Sequence, residues 1–130
     1  WPTPFFYELS KKEEAQNCFS LKRLRTIEGD PVMLEFTYVP QWGTDDLPEK
    51  LEDSSLFKLL QVHYEIEVLQ VVQDVRAIIG SKEILNLLQL KTGDPVLEIH
   101  RKYLTDRAGF HIYSTLYCNT SKYTFSNSFN

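Results

Sequence analysis

Two β-rich runs joined by a Gly-Asp-Pro turn constrain this chain more than any other feature. The runs Ser20–Ile27 (SLKRLRTI) and Val32–Val39 (VMLEFTYV) flank Glu28-Gly-Asp-Pro31, and turn chemistry of that kind between such runs predicts a β-hairpin. Strand side chains alternate between faces, so Arg23 and Arg25 share one. On the second run Met33, Glu35 and Thr37 share a face, and Leu34, Phe36 and Tyr38 share the other. With Glu28 paired to Val32 across a three-residue loop, Arg25 lies opposite Glu35 and Arg23 opposite Thr37. A one-residue slip would put both arginines beside Leu34 and Phe36, so the first register is expected. It gathers two guanidinium groups, a carboxylate and a hydroxyl on one face, a way to hold an anionic, hydroxylated small molecule. Cross-strand Arg–Glu pairs also occur on solvated sheet faces, where each contributes only ~0.2–1 kcal/mol. The pair alone therefore does not define a site.

Size decides the number of domains. With 130 residues, 42% hydrophobic and 13% aromatic, the chain suits one compact domain with a real core and has no room for two. The net charge is −4 and the basic residues are scattered. A nucleic-acid binder carries a basic patch or stripe, so the chain by itself is not expected to hold DNA. No apolar run approaches ~18 residues, and no membrane span is expected. The chain opens Trp1-Pro-Thr-Pro without an initiator Met or a signal-peptide core, as expected of a piece cut from a longer polypeptide. Cys18 and Cys118 form neither a zinc nor a redox motif. They read as small core or pocket-wall residues, with a disulfide between them as the alternative.

Residues 1–9 are rich in aromatics and proline, and residues 10–16 form a polar run. Together, 1–17 read as a linker or N-terminal arm. After the hairpin, Pro40–Pro48 is a loop full of turn residues. Ser54 or Ser55 can cap a helix through His63, with Leu56, Leu59, Leu60 and His63 on one face. Ile66–Ile79 suits a helix by length and a strand by its Val and Ile content. A long strand, bent or bulged near Gln70, is preferred. Ser81 caps a short helix, Lys91–Pro95 is a turn, Val96–Leu104 a strand, Asp106–Gly109 a hairpin loop and Phe110–Cys118 a strand. A last short strand is expected around Tyr123–Phe125. Gly29-Asp-Pro-Val recurs as Gly93-Asp-Pro-Val, 64 residues on. Reuse of one turn chemistry is favoured over internal duplication.

Enzyme signals are thin. His63, His100 and His111 have no metal-ligand spacing, and no nucleophile elbow, phosphate loop or dinucleotide fingerprint is present. His63 reads as a core or boundary residue of a leucine-rich helix face. His100 and His111 read as neighbours on a hairpin surface. Phe110, Tyr113, Tyr117, Tyr123 and Phe125 crowd the last fifth of the chain as core or dimer-surface residues.

In order along the chain stand Leu21-Lys-Arg-Leu-Arg-Thr-Ile-Glu-Gly-Asp-Pro-Val-Met-Leu-Glu-Phe-Thr-Tyr-Val-Pro40, Asp53-Ser-Ser-Leu-Phe-Lys-Leu-Leu60, Lys91-Thr-Gly-Asp-Pro-Val-Leu-Glu-Ile-His-Arg101, Tyr113-Ser and Lys122-Tyr-Thr-Phe125. Over roughly residues 18–125 this resembles the UTRA domain, the effector-binding half of HutC-type GntR transcription regulators. The resemblance implies an α+β, chorismate-lyase-like domain, an antiparallel sheet with helices packed against it, over 18–130. In full-length relatives it follows a winged helix-turn-helix domain, which is absent from this chain.

What the resemblance implies about function is a domain that binds a small anionic metabolite (a phosphorylated sugar, phosphonate or carboxylate), forms a homodimer and touches DNA only through the missing domain. A cytoplasmic, bacterial-type regulator follows, with no enzyme activity, cofactor, metal or membrane contact expected. Position by position, Arg23 and Arg25 match the family's anion-holding arginines, Glu35 a carboxylate that accepts from the effector, and Ser55 a hydroxyl at a helix start, where backbone N–H groups also favour an anion. Phe57 and Cys118 stand where relatives have tyrosine, and Ile112 where many have a ligand-touching glutamate. These three departures remove polar groups and point to a smaller or less hydroxylated anion than an amino-sugar phosphate. A dimerisation module with a vestigial pocket is the second reading and a chorismate-lyase-like enzyme the third.

Overall fold

The computed structural model describes residues 18–41, 44 and 55–121. The expected arm at 1–17, most of the 40–48 loop, Ser54, and the strand at 123–125 lie outside the described residues. Within them run β1 (Cys18–Ile27), β2 (Asp30–Pro40), α1 (Leu56–Tyr64), β3 (Val68–Ile79), α2 (Lys82–Leu87), β4 (Pro95–Thr105) and β5 (His111–Cys118). The strands form one antiparallel sheet in the order β1-β2-β5-β4-β3. This is the expected α+β class.

β1 and β2 form the hairpin, but not in the expected register. Arg23 lies opposite Glu35 and Arg25 opposite Met33, with an irregularity between Arg25 and Thr26. The loop has two residues, because Ile27 pairs with Asp30. Glu28 and Gly29 have φ of 50° and 85°, the sign that a type I′ loop demands at both central positions. Positive φ at Glu28 is unusual for a residue with a long side chain. From Cys18 to Arg25 the shift is two residues, an even number, so Arg23, Arg25 and Glu35 keep their expected face.

β5 is the centre of the fold, and its residues from Ile112 to Cys118 are all buried. β2 and β4 flank it in matched register: Met33 and Leu97 both pair with Cys118, Leu34 and Glu98 with Tyr117, and Phe36 and His100 with Thr115. These partners stand 64 residues apart, the spacing of the Gly-Asp-Pro-Val repeat. The first turn closes a hairpin, whereas the second follows α2.

One helix covers part of each sheet face. On one face α1 packs Leu56 and Leu60 against Val39, Ile66, Phe110 and Ile112. On the other, α2 packs Leu85, with Leu88 just beyond it, against Leu34, Val96 and Tyr117. Ser81 caps α2 as expected, accepting the Ile84 N–H at 3.3 Å. His63 departs from expectation. It is exposed, its ring edge-on to Tyr64, because the buried stripe of α1 ends at Leu60.

β3 is the predicted strand, with its irregularity between Val68 and Gln70. It lies at the sheet edge and is exposed nearly throughout, which explains why its Val and Ile residues follow neither period. The disulfide alternative fails. Both cysteines are free, and Cys18 pairs with Pro40 while Cys118 pairs with Met33. Seven positions along β2 correspond to about 23 Å. His100 and His111 are not a surface pair either, since His100 pairs with Thr115 and is buried, while His111 pairs with Leu104. Phe110, Tyr113 and Tyr117 are core residues. No helix among the described residues is long and apolar enough to cross a membrane.

Candidate functional site

Strand alternation puts Arg23 and Arg25 of β1, Met33 and Glu35 of β2, Leu116 of β5, and Arg101 and Tyr103 of β4 on the sheet face that carries α1. The first turn of α1 reaches over this floor with Ser55, Leu56 and Phe57. Between floor and helix lies a cavity of about 280 Å³ lined by those residues. Phe57 and Tyr103 meet at 4.6 Å between ring centroids and wall one side.

Polar contacts fix two of the three arginines, Arg25 and Arg101. The Arg25 Nε–H donates to Glu35 Oε1 at 3.2 Å, a diagonal contact in the observed register. The Arg25 side chain is 55% exposed and that of Glu35 only 15%. The second Glu35 oxygen accepts from Thr37 Oγ1 at 2.8 Å, and Thr37 shares a 2.8 Å hydrogen bond with Ser114. Both hydroxyl residues are buried. Glu35 is thus an anchor with both oxygens engaged. Arg23 makes no ion pair among the described residues, and across the sheet the Arg101 Nε–H donates to Gln73 Oε1 at 3.0 Å.

The first turn of α1 adds a favourable end for an anion. Ser55 occupies the N-cap position without a capping hydrogen bond from its side chain, and the first turn holds no acidic residue. Its N–H groups carry the positive end of the helix dipole. Three guanidinium groups, one neutralised carboxylate and a helix start make a cavity suited to an anionic ligand.

Of the residues singled out from the sequence, Arg23, Arg25, Glu35, Ser55 and Phe57 come together here. Ile112 and Cys118 do not line the cavity. Ile112 is fully buried in the α1 core, and Cys118 is sealed between Ile99 and Leu116. Burial pushes the Cys118 thiol up to about 11, opposed by the Arg101 charge. Sequence reading missed Arg101 and Tyr103, whose strand neighbours neither β1 nor β2. The expected order of elements held no signal for that approach.

An antiparallel sheet of this order with a cationic cavity under a helix start is the architecture of an α+β ligand-cavity domain. A family model described as the UTRA domain matches residues 8–124, and the chain belongs to that family. The fold is shared with solved structures of low identity. The ligand-binding domain of a protein assigned to the GntR-family transcriptional regulators of Bordetella bronchiseptica superposes with a TM-score of 0.78 at 19% identity, covering 88% of this chain and 76% of that one. A GntR-family transcriptional regulator from Bacillus cereus gives 0.75 at 17%, covering 87% and 79%. YydK of Bacillus subtilis, described as a possible transcriptional regulator, gives 0.81 at 19%, covering 99% of this chain but 57% of that one. No curated protein sequence matches the chain.

Proposed function

We propose that this chain is the effector-binding domain of a HutC-type GntR transcription regulator. It takes up a small anionic metabolite between β1 and the start of α1, and couples that binding to a DNA-reading domain elsewhere in the protein. The observation that carries this reading is the Arg23–Arg25 pair lining a cavity in a chain of the UTRA family. The described GntR-family neighbours support the regulatory context. For coupling, the metabolite must bind one arrangement of the DNA-reading heads better than the other, by typically ~1–3 kcal/mol.

A homodimer is part of the proposal, as a palindromic operator requires. β3 offers the contact. It is an edge strand whose Val71, Val72, Val75 and Ile79 are exposed, and such an edge invites pairing with another strand. Antiparallel self-pairing about Val75 sets Asp74 opposite Arg76 of the second copy, so the edge is complementary to itself.

An enzymatic reading has less support. Glu35 is the one carboxylate among the described residues lining the cavity, and both its oxygens are engaged. A chorismate assay for pyruvate release would expose lyase activity.

The test is a melting-shift screen with sugar phosphates, phosphonates and small carboxylates, followed by calorimetry on the best binder. Arg23→Ala and Arg25→Ala should each weaken binding about ten- to a hundred-fold with little change in melting temperature, and Arg→Lys should recover only part. Unchanged affinity with a large loss of melting temperature would make the pair structural. A screen without binders would favour a dimerisation module with a vestigial pocket.

A further inference from the structure

Arg101 is the cavity residue that the anion clamp on β1 does not account for. It stands on β4, three strands away from β1, which is roughly 14 Å between backbones at about 4.8 Å per strand. Its Nε–H is tied to Gln73 on β3, on the side away from β1. Arg25 is tied the same way to Glu35 on β2. Each guanidinium is therefore held by its inner N–H, and its terminal nitrogens have no partner among the described residues. Gln73 draws the Arg101 head outward, away from β1, whereas Glu35 holds the Arg25 head inward over β2, so the strand spacing and the Gln73 tether keep the heads apart. Between them the floor is made by Leu116, Met33 and Glu35, whose two carboxylate oxygens are already taken by Arg25 and Thr37.

We propose that the cavity takes a metabolite with an anionic group at each end and a short, weakly hydroxylated middle: a dicarboxylate or a phosphocarboxylate. One end sits on Arg23 and Arg25 near the start of α1, and the other on Arg101 beside Tyr103. A single phosphate cannot bridge Arg25 and Arg101, which stand three strands apart, while Gln73 holds Arg101 outward. Charge supports the same count, since three guanidinium groups against the one Glu35 carboxylate leave +2 to be neutralised. Gln73 is a positioning residue, because it holds Arg101 and lies outside the cavity lining. This inference rests on the effector-binding reading above and names the ligand class for the same site.

The test is calorimetric titration of the full 130-residue chain with butyrate, succinate, glutarate, adipate, inorganic phosphate and 3-phosphoglycerate. The best two-ended probe should bind at least about ten-fold tighter than butyrate, the effect of one charge-assisted contact. Arg101→Gln should erase that preference, bringing the affinity of the best two-ended probe down to that of butyrate. Gln73→Leu, at an exposed position, should reduce the preference in part, with melting curves of both variants checking the fold. Phosphate or butyrate binding that depends on Arg25, with no gain from a second anionic end or no loss in Arg101→Gln, would overturn the two-ended ligand and leave the effector-binding reading standing. No binding by any probe would overturn the two-ended ligand, and the screen of sugar phosphates and phosphonates above then decides the effector-binding reading.

Discussion

β2 and β4 leave the same Gly-Asp-Pro-Val turn and flank β5 in matched register, yet their glutamates face opposite sides of the sheet. Glu35 follows Gly29 by six positions and Glu98 follows Gly93 by five. One residue of offset is enough, because strand side chains alternate. Each glutamate then takes an arginine from the neighbouring outer strand: Arg25 on Glu35 at 3.2 Å, and Arg76 on Glu98 at 2.9 Å. Their surroundings part them. Glu35 borders the cavity and steadies a cation that faces it. Glu98 is closed in, with His100 Nε2 3.1 Å away and the Tyr117 hydroxyl on it. Burial first, then the Glu98 charge and hydrogen bond, push Tyr117 up to about 12. An Arg–Glu pair in a strand pattern is thus neutral evidence for a site; what lies above the pair decides.

Removing each carboxylate should break the comparison most sharply. Glu98→Ala leaves Tyr117 without its acceptor inside the sheet, which costs about 2–3 kcal/mol. Glu35→Ala should cost about 1 kcal/mol or less, since the half-exposed Arg25 returns to water. It should instead weaken anion binding by loosening Arg25. Urea unfolding of the two variants reads the difference. Equal losses would mean that Glu35 is as structural as Glu98.

Next in size is a pH effect at Cys118, the β5 residue gripped by Met33 of β2 and Leu97 of β4. Its thiol is raised from 9.0 to about 11, by burial. The unfolded chain loses this proton near pH 9 while the folded chain still holds it. Stability therefore falls as pH rises from about 9 and stops falling from this cause above about 11. The full loss is about 2.7 kcal/mol. Cys118→Ala should flatten the decline of melting temperature between pH 9 and 10, before the buried Tyr38 and Tyr117, both near 12, begin to titrate. An unchanged slope would show that the thiol ionises at its ordinary value.

How far the chain could be read in advance follows from the same physics. Faces were legible because alternation has period two and survives an even shift, so Arg23, Arg25 and Glu35 were placed together despite a register two residues off. The register itself was not, because it required Glu28 to accept positive φ, which residue preferences argue against. The strand at Val68–Ile79 and its irregularity were legible from β-branched content and length. Arg101 and Tyr103 were invisible as site residues, since only the insertion of β5 between β2 and β4 brings them near β1. Ile112 and Cys118 lie on the cavity face as alternation requires. Packing beneath α1 and against Ile99 seals them off, and alternation carries no information about what covers a position.

The smallest expected effect sharpens the comparison at its origin, the repeated turn. Gly29 and Gly93 have φ of +85° and +90°, and a Cβ added at either would meet no heavy atom within 4 Å. Alanine at each position therefore brings backbone strain and no clash, a cost of about 1 kcal/mol. Both positions are exposed, so no packing change should separate them. The two variants should lose the same stability within about 0.5 kcal/mol, although one turn closes a hairpin and the other links α2 to β4. A clearly larger loss at Gly29 would have a specific cause: the adjoining Glu28 already holds positive φ, so a second strained residue would have to fit the same two-residue loop. Arg25 would then shift with the hairpin end, and the loss at Gly29 should come with weaker anion binding. Gly93→Ala, whose turn carries no cavity residue, should leave binding unchanged in either case.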